Sequence, residues 1–338
     1  MCCLGEKYGQ NSILRYKIYK SERLLLSLNT KINQDLAISK DEKREVACPI
    51  CSSLASWSFS RTILNIHFAN LYICPSCDYL FAENPHWLKD AYHRVINTMD
   101  TGCMARLIHL RDETALPIYL MPGDRGSWID YGGGHGGYCR LMRDVGFDFY
   151  WNDPMAENLF AAGFEEPSGI KFAGVTCFEC FEHFTDPREE MKKMLARGPR
   201  IIFSTELRPR RVPDQDNWPY YGWEHGQHVG FHTQKSLRAL GEIFGLQLVS
   251  DGSFLHAFIP ETEADTVAAR LIHHRRLPLT AWIHSRMRKL FRTNIFWESL
   301  CKGKIVSKDF VTSLEKVLGS KTWTDHLRMK EAAKKRLM

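Results

Sequence analysis

The chain has 338 residues, 44% of them hydrophobic and 25% charged, which is enough to bury a sizeable core without disulfide support. Its net charge of +6 is unevenly placed: residues 261–338 hold 17 Lys/Arg against 8 Asp/Glu, a balance of +9 that leaves the first 260 residues at −3. Lys7, Arg15, Lys17 and Lys20 interrupt the start of the chain, so it lacks a secretory apolar region. No apolar run approaches the ~20 residues needed to span a bilayer, and a cytoplasmic location is expected.

Residues 1–46 carry apolar positions at helical spacing (Ile13, Tyr16, Ile18, Leu24, Leu25, Leu28) and predict one or two short helices without evident chemistry. Residues 47–82 hold Cys48-Pro-Ile-Cys51 and Cys74-Pro-Ser-Cys77, with strands predicted at Ser56 to Ser60 and Ile63 to Tyr72 between them. The eleven cysteines are odd in number and mostly scattered, which does not suit a disulfide framework. Two Cys-x-x-Cys knuckles separated by 22 residues suit a tetrahedral Zn²⁺ with Cys48, Cys51, Cys74 and Cys77 as ligands. Four thiolates leave no open position, so such an ion is structural. Cys177-x-x-Cys180 repeats the string inside an apolar strand pattern and reads as core.

Residues 83–124 read as a helical linker closed by the turn Pro122-Gly123-Asp124. From 125 to 260 strands alternate with helices, which predicts an α/β parallel sheet of Rossmann-like type with helices on both faces. The strands are Trp128–Tyr131, Phe147–Asp153, a short one near Phe164, the apolar run Phe172–Phe181, Arg200–Thr205, Leu246–Val249 and Phe254–Ile259. Helices are expected over Gly136–Gly146 and Gln234–Phe244. Residues 261–338 read as a basic helical tail, with His273-His-Arg-Arg276, Arg286, Arg288, Lys289 and Arg292 as its densest charge.

Asp130-Tyr-Gly-Gly-Gly-His-Gly-Gly137 follows a strand and opens a helix, the context in which glycines let a cofactor approach the backbone. Gly132-x-Gly134-x-x-Gly137 also satisfies a dinucleotide string, so the loop alone leaves two adenine cofactors open. The loop resembles motif I of class I S-adenosylmethionine-dependent methyltransferases, Asp-x-Gly-x-Gly-x-Gly, at Asp130, Gly132, Gly134 and Gly136. Asp153, 19 residues after Gly134, matches the family's ribose-binding acid. Phe172 to Pro187 is similar to its fourth-strand motif FDxVxxxEVxEHxxDP, with Glu179, Glu182, His183, Asp186 and Pro187 in register. Ala173 departs from the motif's Asp. The resemblance covers roughly residues 125–260 and implies S-adenosylmethionine as methyl donor. It assigns Asp130, Gly132, Gly134, Gly136, Asp153 and Phe178 to the cofactor, and Phe164 or Glu165 to the adenine.

Trp218 to Thr233 holds Tyr220, Tyr221, Glu224, His225, His228 and His232 and resembles the histidine-rich region of methyltransferases acting on small molecules. Methyl transfer to a hydroxyl or acidic C–H needs a base, and imidazole suits it. His225 or His228 is the expected base, oriented by Glu224 or a tyrosine. The zinc unit before such a domain is similar in arrangement to sugar C-methyltransferases and to ribosomal RNA guanine methyltransferases. No Pro-Pro-aromatic or Pro-Cys motif favours nucleic acid, so the acceptor is expected to be a small polar metabolite, a sugar or nucleotide-linked sugar. RNA methylation through the zinc unit and basic tail is the second reading, and an inactive cofactor-binding module the third. Oligomeric state is not legible.

Overall fold

The computed structural model describes residues 45–92, 100–121, 126–263 and 318–328, together with Thr312, Glu315 and Lys316. The helices expected over 1–46 lie almost wholly outside the described residues, and the basic cluster His273 to Arg292 and the Pro122-Gly123-Asp124 turn lie wholly outside them.

Two sheets organise the chain. Strands β1 (Val46–Ala47), β2 (Leu54–Ile63), β3 (His67–Ile73) and β4 (Leu80–Ala82) form an antiparallel meander. The predicted strand Ile63 to Tyr72 is broken by a turn at Leu64-Asn65-Ile66. Leu64 and Asn65 take left-handed φ values of 52° and 62°, which end β2 and start β3. Within the expected helical linker the described residues form helix α1 (Leu88–Ala91) and helix α2 (Cys103–Leu120).

The second sheet has the order β10-β11-β8-β7-β5-β6. Its strands are β5 (Trp128–Tyr131), β6 (Phe149–Asn152), β7 (Gly174–Phe178), β8 (Ile201–Ser204), β10 (Leu246–Ser250) and β11 (Leu255–Pro260). β6, β5, β7 and β8 run parallel, and β11 and β10 add antiparallel. Every residue of β7 and β8 is buried, the pattern of central strands covered on both faces. The strand expected near Phe164 is reduced to one bridge, Trp151 to Glu165, because only a short loop connects it to β6.

Helix α3 (Gly137–Val145) leaves the glycine loop, and helix α4 (Pro187–Arg197) begins with Asp186 accepting hydrogen bonds from the Arg188 and Glu189 amides. Pro187 at the first helical position loses no bond there. Helix α5 (Gln234–Ile243) starts in a reciprocal cap between Thr233 and Ser236.

The two sheets are not independent units. Strand β9 (Gly230–Phe231), from the histidine-rich segment, pairs with β4 and becomes the last strand of the meander. The fully buried Arg208 side chain reaches across to the Asp78 carboxylate at 2.7 Å, and the Trp87 indole donates to the Gly226 carbonyl at 2.8 Å. Residues 318–328 return from the C-terminal region to α3, where Asp325 pairs with Arg143 and Arg140. Among the described residues no helix is long and apolar enough to cross a membrane.

Candidate active site

The parallel strands end at one cavity of about 800 Å³. It opens where β6 and β7 diverge on either side of β5, the switch point at which open α/β sheets bind ligands. Its floor is the glycine loop. Gly134 has φ +52° and nothing within 4 Å of where a Cβ would stand, so its backbone faces open space. Its amide donates to Asp153 Oδ2 at 2.9 Å, and Asp153 Oδ1 accepts from the Met155 and Ala156 amides at 2.7 and 2.9 Å. Asp153 therefore holds the loop to the end of β6 while lining the cavity. Asp130 is 2% exposed and accepts from the Thr176 hydroxyl at 2.7 Å.

Gly132, Gly134, Asp130, Asp153 and Phe178 all line the cavity. Gly136 does not. It caps α3 against Asn158, whose Oδ1 lies 2.7 Å from its Cβ position, so its role is packing behind the loop. Phe164 and Glu165 also stand away from the cavity. Phe164 is buried under the Arg143 guanidinium, and Glu165 accepts from Asn158 and Gly163. Pro154, Met155 and Phe160 take that wall instead. Cys177 is core, but Cys180 is not: it has left the strand and its thiol sits against Gly132.

The opposite wall comes from the end of β7 and the histidine-rich segment. Glu179 has a left-handed φ of 53°, which turns the chain so that its amide and its carboxylate both bond the Ser204 hydroxyl, at 2.9 and 2.7 Å. Arg106 of α2, held by Asp100 at 2.6 and 3.0 Å, approaches Glu179 at 3.6 Å. Nothing in the sequence pattern marks Arg106, since only the packing of α2 over the glycine loop brings it here. His183, Glu182, Tyr220, Glu224, His225 and His228 complete the wall.

His228 Nδ1 donates to the Tyr220 carbonyl at 2.6 Å. A carbonyl only accepts, so Nδ1 carries the proton and Nε2 keeps its lone pair. The Tyr220 carbonyl thus orients His228, whereas Glu224 stands exposed at the rim. His225 Nδ1 accepts from the Gln227 amide at 3.2 Å, and its ring packs 4.7 Å from that of His228. His225 needs glycine at 222, because its Nε2 lies 2.1 Å from where a Cβ would be. Tyr221 and His232 belong to the core rather than the cavity.

Burial governs the charges here. It pushes His225 and His228 down to about 4, so both are neutral at pH 7. It pushes Asp130, Glu179 and Glu182 up to about 7, and the negative charge of Glu182 raises Glu179 further. These carboxyls favour folding at low pH and lose that advantage as pH rises from about 4 towards 7.

The core histidines act in the opposite sense. His256 donates from Nε2 to the Thr205 carbonyl at 3.0 Å and accepts from Ser250 at 2.8 Å, and burial lowers it to about 4. Its stabilisation is complete above the unfolded value near 6.5 and is lost as pH falls through that value towards 4. The stability advantage of wild type over His256→Gln should therefore shrink by about 2 kcal/mol between pH 7 and pH 5, read from urea midpoints. An advantage constant with pH would contradict the assignment.

The four thiols meet at the far end of the meander. Cys48 Sγ is 3.5 Å from Cys77 Sγ, Cys51 Sγ is 3.4 Å from Cys74 Sγ, and all four lie within 4.8 Å of one another. Ligands at about 2.3 Å around a tetrahedral ion stand about 3.8 Å apart, so the cluster fits a metal. A left-handed residue follows each knuckle, Ser52 at φ 61° and Asp78 at φ 64°. The Cys48–Cys77 hydrogen bond draws Cys48 down to about 5 and pushes Cys77 up.

The sheet of Rossmann-like type thus carries a glycine loop, a strand-end Asp and a cavity at its switch point. Residues 102–251 match the family model described as a methyltransferase domain. No curated protein matches the chain. Solved structures similar to part of it include CalO1, a methyltransferase in calicheamicin biosynthesis in its S-adenosylhomocysteine-bound form. That match has 15% identity and a TM-score of 0.34, and covers 48% of this chain and 55% of that one. Another is the magnesium protoporphyrin IX methyltransferase of Synechocystis PCC 6803 with bound S-adenosylhomocysteine, at 14% identity and TM-score 0.33, covering 52% of this chain and 93% of that one. A third is OxaC, at 16% identity and TM-score 0.34, covering 43% and 47%. The chain thus matches about half the length of CalO1 and of OxaC.

Proposed function

We propose that the protein methylates a small polar metabolite, with a sugar or nucleotide-linked sugar as the acceptor class. The observation that carries this reading is the shared cavity: the glycine loop and Asp153 on one side face Tyr220, His225 and His228 on the other. At about 800 Å³ it falls in the range of sites that enclose drug-sized ligands. Such a space suits a cofactor and a compact acceptor better than a polymer.

Asp130, Gly132, Gly134, Asp153 and Phe178 would hold S-adenosylmethionine, which when bound supplies an electrophilic methyl group. The chain's own residues do the rest. Asp153 fixes the loop through three amides, which keeps the floor of the site rigid before any ligand arrives. The histidine wall positions the acceptor and meets its proton, with His225 beside His228 as the accepting group. Zn²⁺ held by Cys48, Cys51, Cys74 and Cys77 would be structural, since four protein ligands leave no position for substrate.

The test is release of S-adenosylhomocysteine on addition of sugar nucleotides, with His225→Ala alongside. Turnover in the variant should fall by roughly 10²–10⁴ while calorimetric binding of S-adenosylhomocysteine is retained. Unchanged turnover would remove His225 from the reaction. Steeply salt-dependent RNA binding with no response to sugars would favour the nucleic-acid reading instead.

A further inference from the structure

The cavity wall holds a second group of metal-binding side chains, separate from the four thiols. One ligand atom from each of Glu182, His183 and His228 lies within 4.8 Å of the others. Three features set this group apart from a chance meeting of polar residues.

First, Glu182 is 0% exposed, and among the described residues neither of its carboxylate oxygens has a hydrogen-bond partner. The Thr205 and Tyr220 hydroxyls stand near it but bond each other at 3.1 Å, so only one of their two protons can turn to the carboxylate, and Tyr220 also accepts from the Glu206 amide at 2.9 Å. A buried carboxylate with at most one donor for two oxygens is costly, and a cation would supply the partner that it lacks. Second, His228 already has the arrangement of a ligating imidazole. Its Nδ1–H is committed to the Tyr220 carbonyl, which fixes the ring and leaves Nε2 as a lone-pair donor. Third, the three residues come from two segments locked to each other. Glu182 and His183 sit on the short helical turn Phe181–His183, and the Val229 amide next to His228 donates to the Glu182 carbonyl at 2.8 Å.

We infer that Glu182, His183 and His228 form a second, open divalent-metal site in the acceptor half of the cavity. Two imidazoles and one carboxylate are the donor set of mononuclear sites for first-row ions such as Mn²⁺ or Fe²⁺, which keep further positions for water or substrate. The ligands line the cavity, so those positions face the space assigned to the acceptor. An acceptor with adjacent oxygens, such as a vicinal diol, could chelate the ion. This role rests on the small-molecule reading above, but metal uptake itself does not.

The experiment uses the full chain, with the thiolate site first loaded with zinc, titrated with Mn²⁺ and followed by electron paramagnetic resonance of the free ion. One Mn²⁺ should bind per chain. Glu182→Gln and His228→Gln should each weaken it at least roughly tenfold, while retaining calorimetric binding of S-adenosylhomocysteine as proof of folding. If Glu182→Gln fails to fold, His183→Gln serves in its place, because among the described residues the His183 side chain is half-buried and makes no hydrogen bond of the core, while the hydrogen bond from its amide to the Cys180 carbonyl is kept in the variant. No Mn²⁺ uptake by wild type, or uptake unchanged in folded variants, overturns the site. Failure of the methyltransferase reading would show separately, as wild-type protein that takes up Mn²⁺ but releases no S-adenosylhomocysteine with any acceptor.

Discussion

Cys74→Ser should empty the thiolate site, leaving far less than one zinc per chain, and should loosen the five-stranded meander by several kcal/mol. Structural zinc contributes about 10–16 kcal/mol of apparent folding free energy in small domains. The effect should be smaller here because the meander is also held from outside. Arg208 grips Asp78, Trp87 bonds Gly226, and β9 pairs with β4. The damage should still reach the cavity. His228 directly precedes the segment that joins β4, where the Ala82 amide donates to the Val229 carbonyl at 2.8 Å. Turnover should therefore fall more than cofactor binding, since the glycine loop belongs to the other sheet. Elemental analysis, limited proteolysis across residues 45–92 and calorimetry would check each part. Full zinc content in the variant would defeat the four-thiolate site.

Arg143→Ala should cost about 3–5 kcal/mol, the range for breaking a buried ion pair by removing one partner. The Arg143 side chain is 4% exposed. It donates to both Asp325 oxygens at 2.6 and 3.0 Å, to Asp148 at 2.8 Å and to the Phe149 carbonyl at 2.7 Å, and it stacks 3.6 Å from the Phe164 ring centroid. The substitution would leave the Asp325 carboxylate, itself only 5% exposed, with Arg140 as its one remaining cation at 2.9 Å and loosen the returning segment 318–328 from α3. Urea unfolding gives the loss directly. Replacing both partners, Arg143→Met with Asp325→Leu, should recover much of it, because no buried charge then remains. A loss below about 1 kcal/mol in Arg143→Ala would mean that water reaches the pair.

Much of this was readable before the fold was known, where a local pattern carried the physics. The Cys-x-x-Cys pairs bring two sulfurs together within one tight turn, so the thiol cluster needed only that the two turns meet. The start of α4 at Asp186-Pro187 is not among the expected helices, although its capping chemistry is confined to three residues. The glycine loop followed a strand and opened a helix as its spacing implied. Errors arose where local signals were weak. The β2–β3 turn has no glycine or proline and relies on Leu64 and Asn65 in left-handed conformations, so the apolar run concealed it. Cys180 looked like part of a buried strand, but the strand ends at Phe178 and the thiol reaches the cavity.

By itself, the sequence determined the glycine-loop side of the cavity. Asp130 to Gly137 and Asp153 are separated by one helix and one strand, and their meeting follows from a single β-α-β step, a geometry that short-range periodicity encodes. The opposite wall was decided by tertiary structure. Arg106 faces Glu179, β9 completes a sheet begun more than 180 residues earlier, and Glu182, His183 and His228 converge from segments about 45 residues apart. Asp325 meets Arg143 from 182 positions away. Contacts of that range depend on which faces the two sheets bury against each other, and this depends on the packing of the whole core, which no local pattern records.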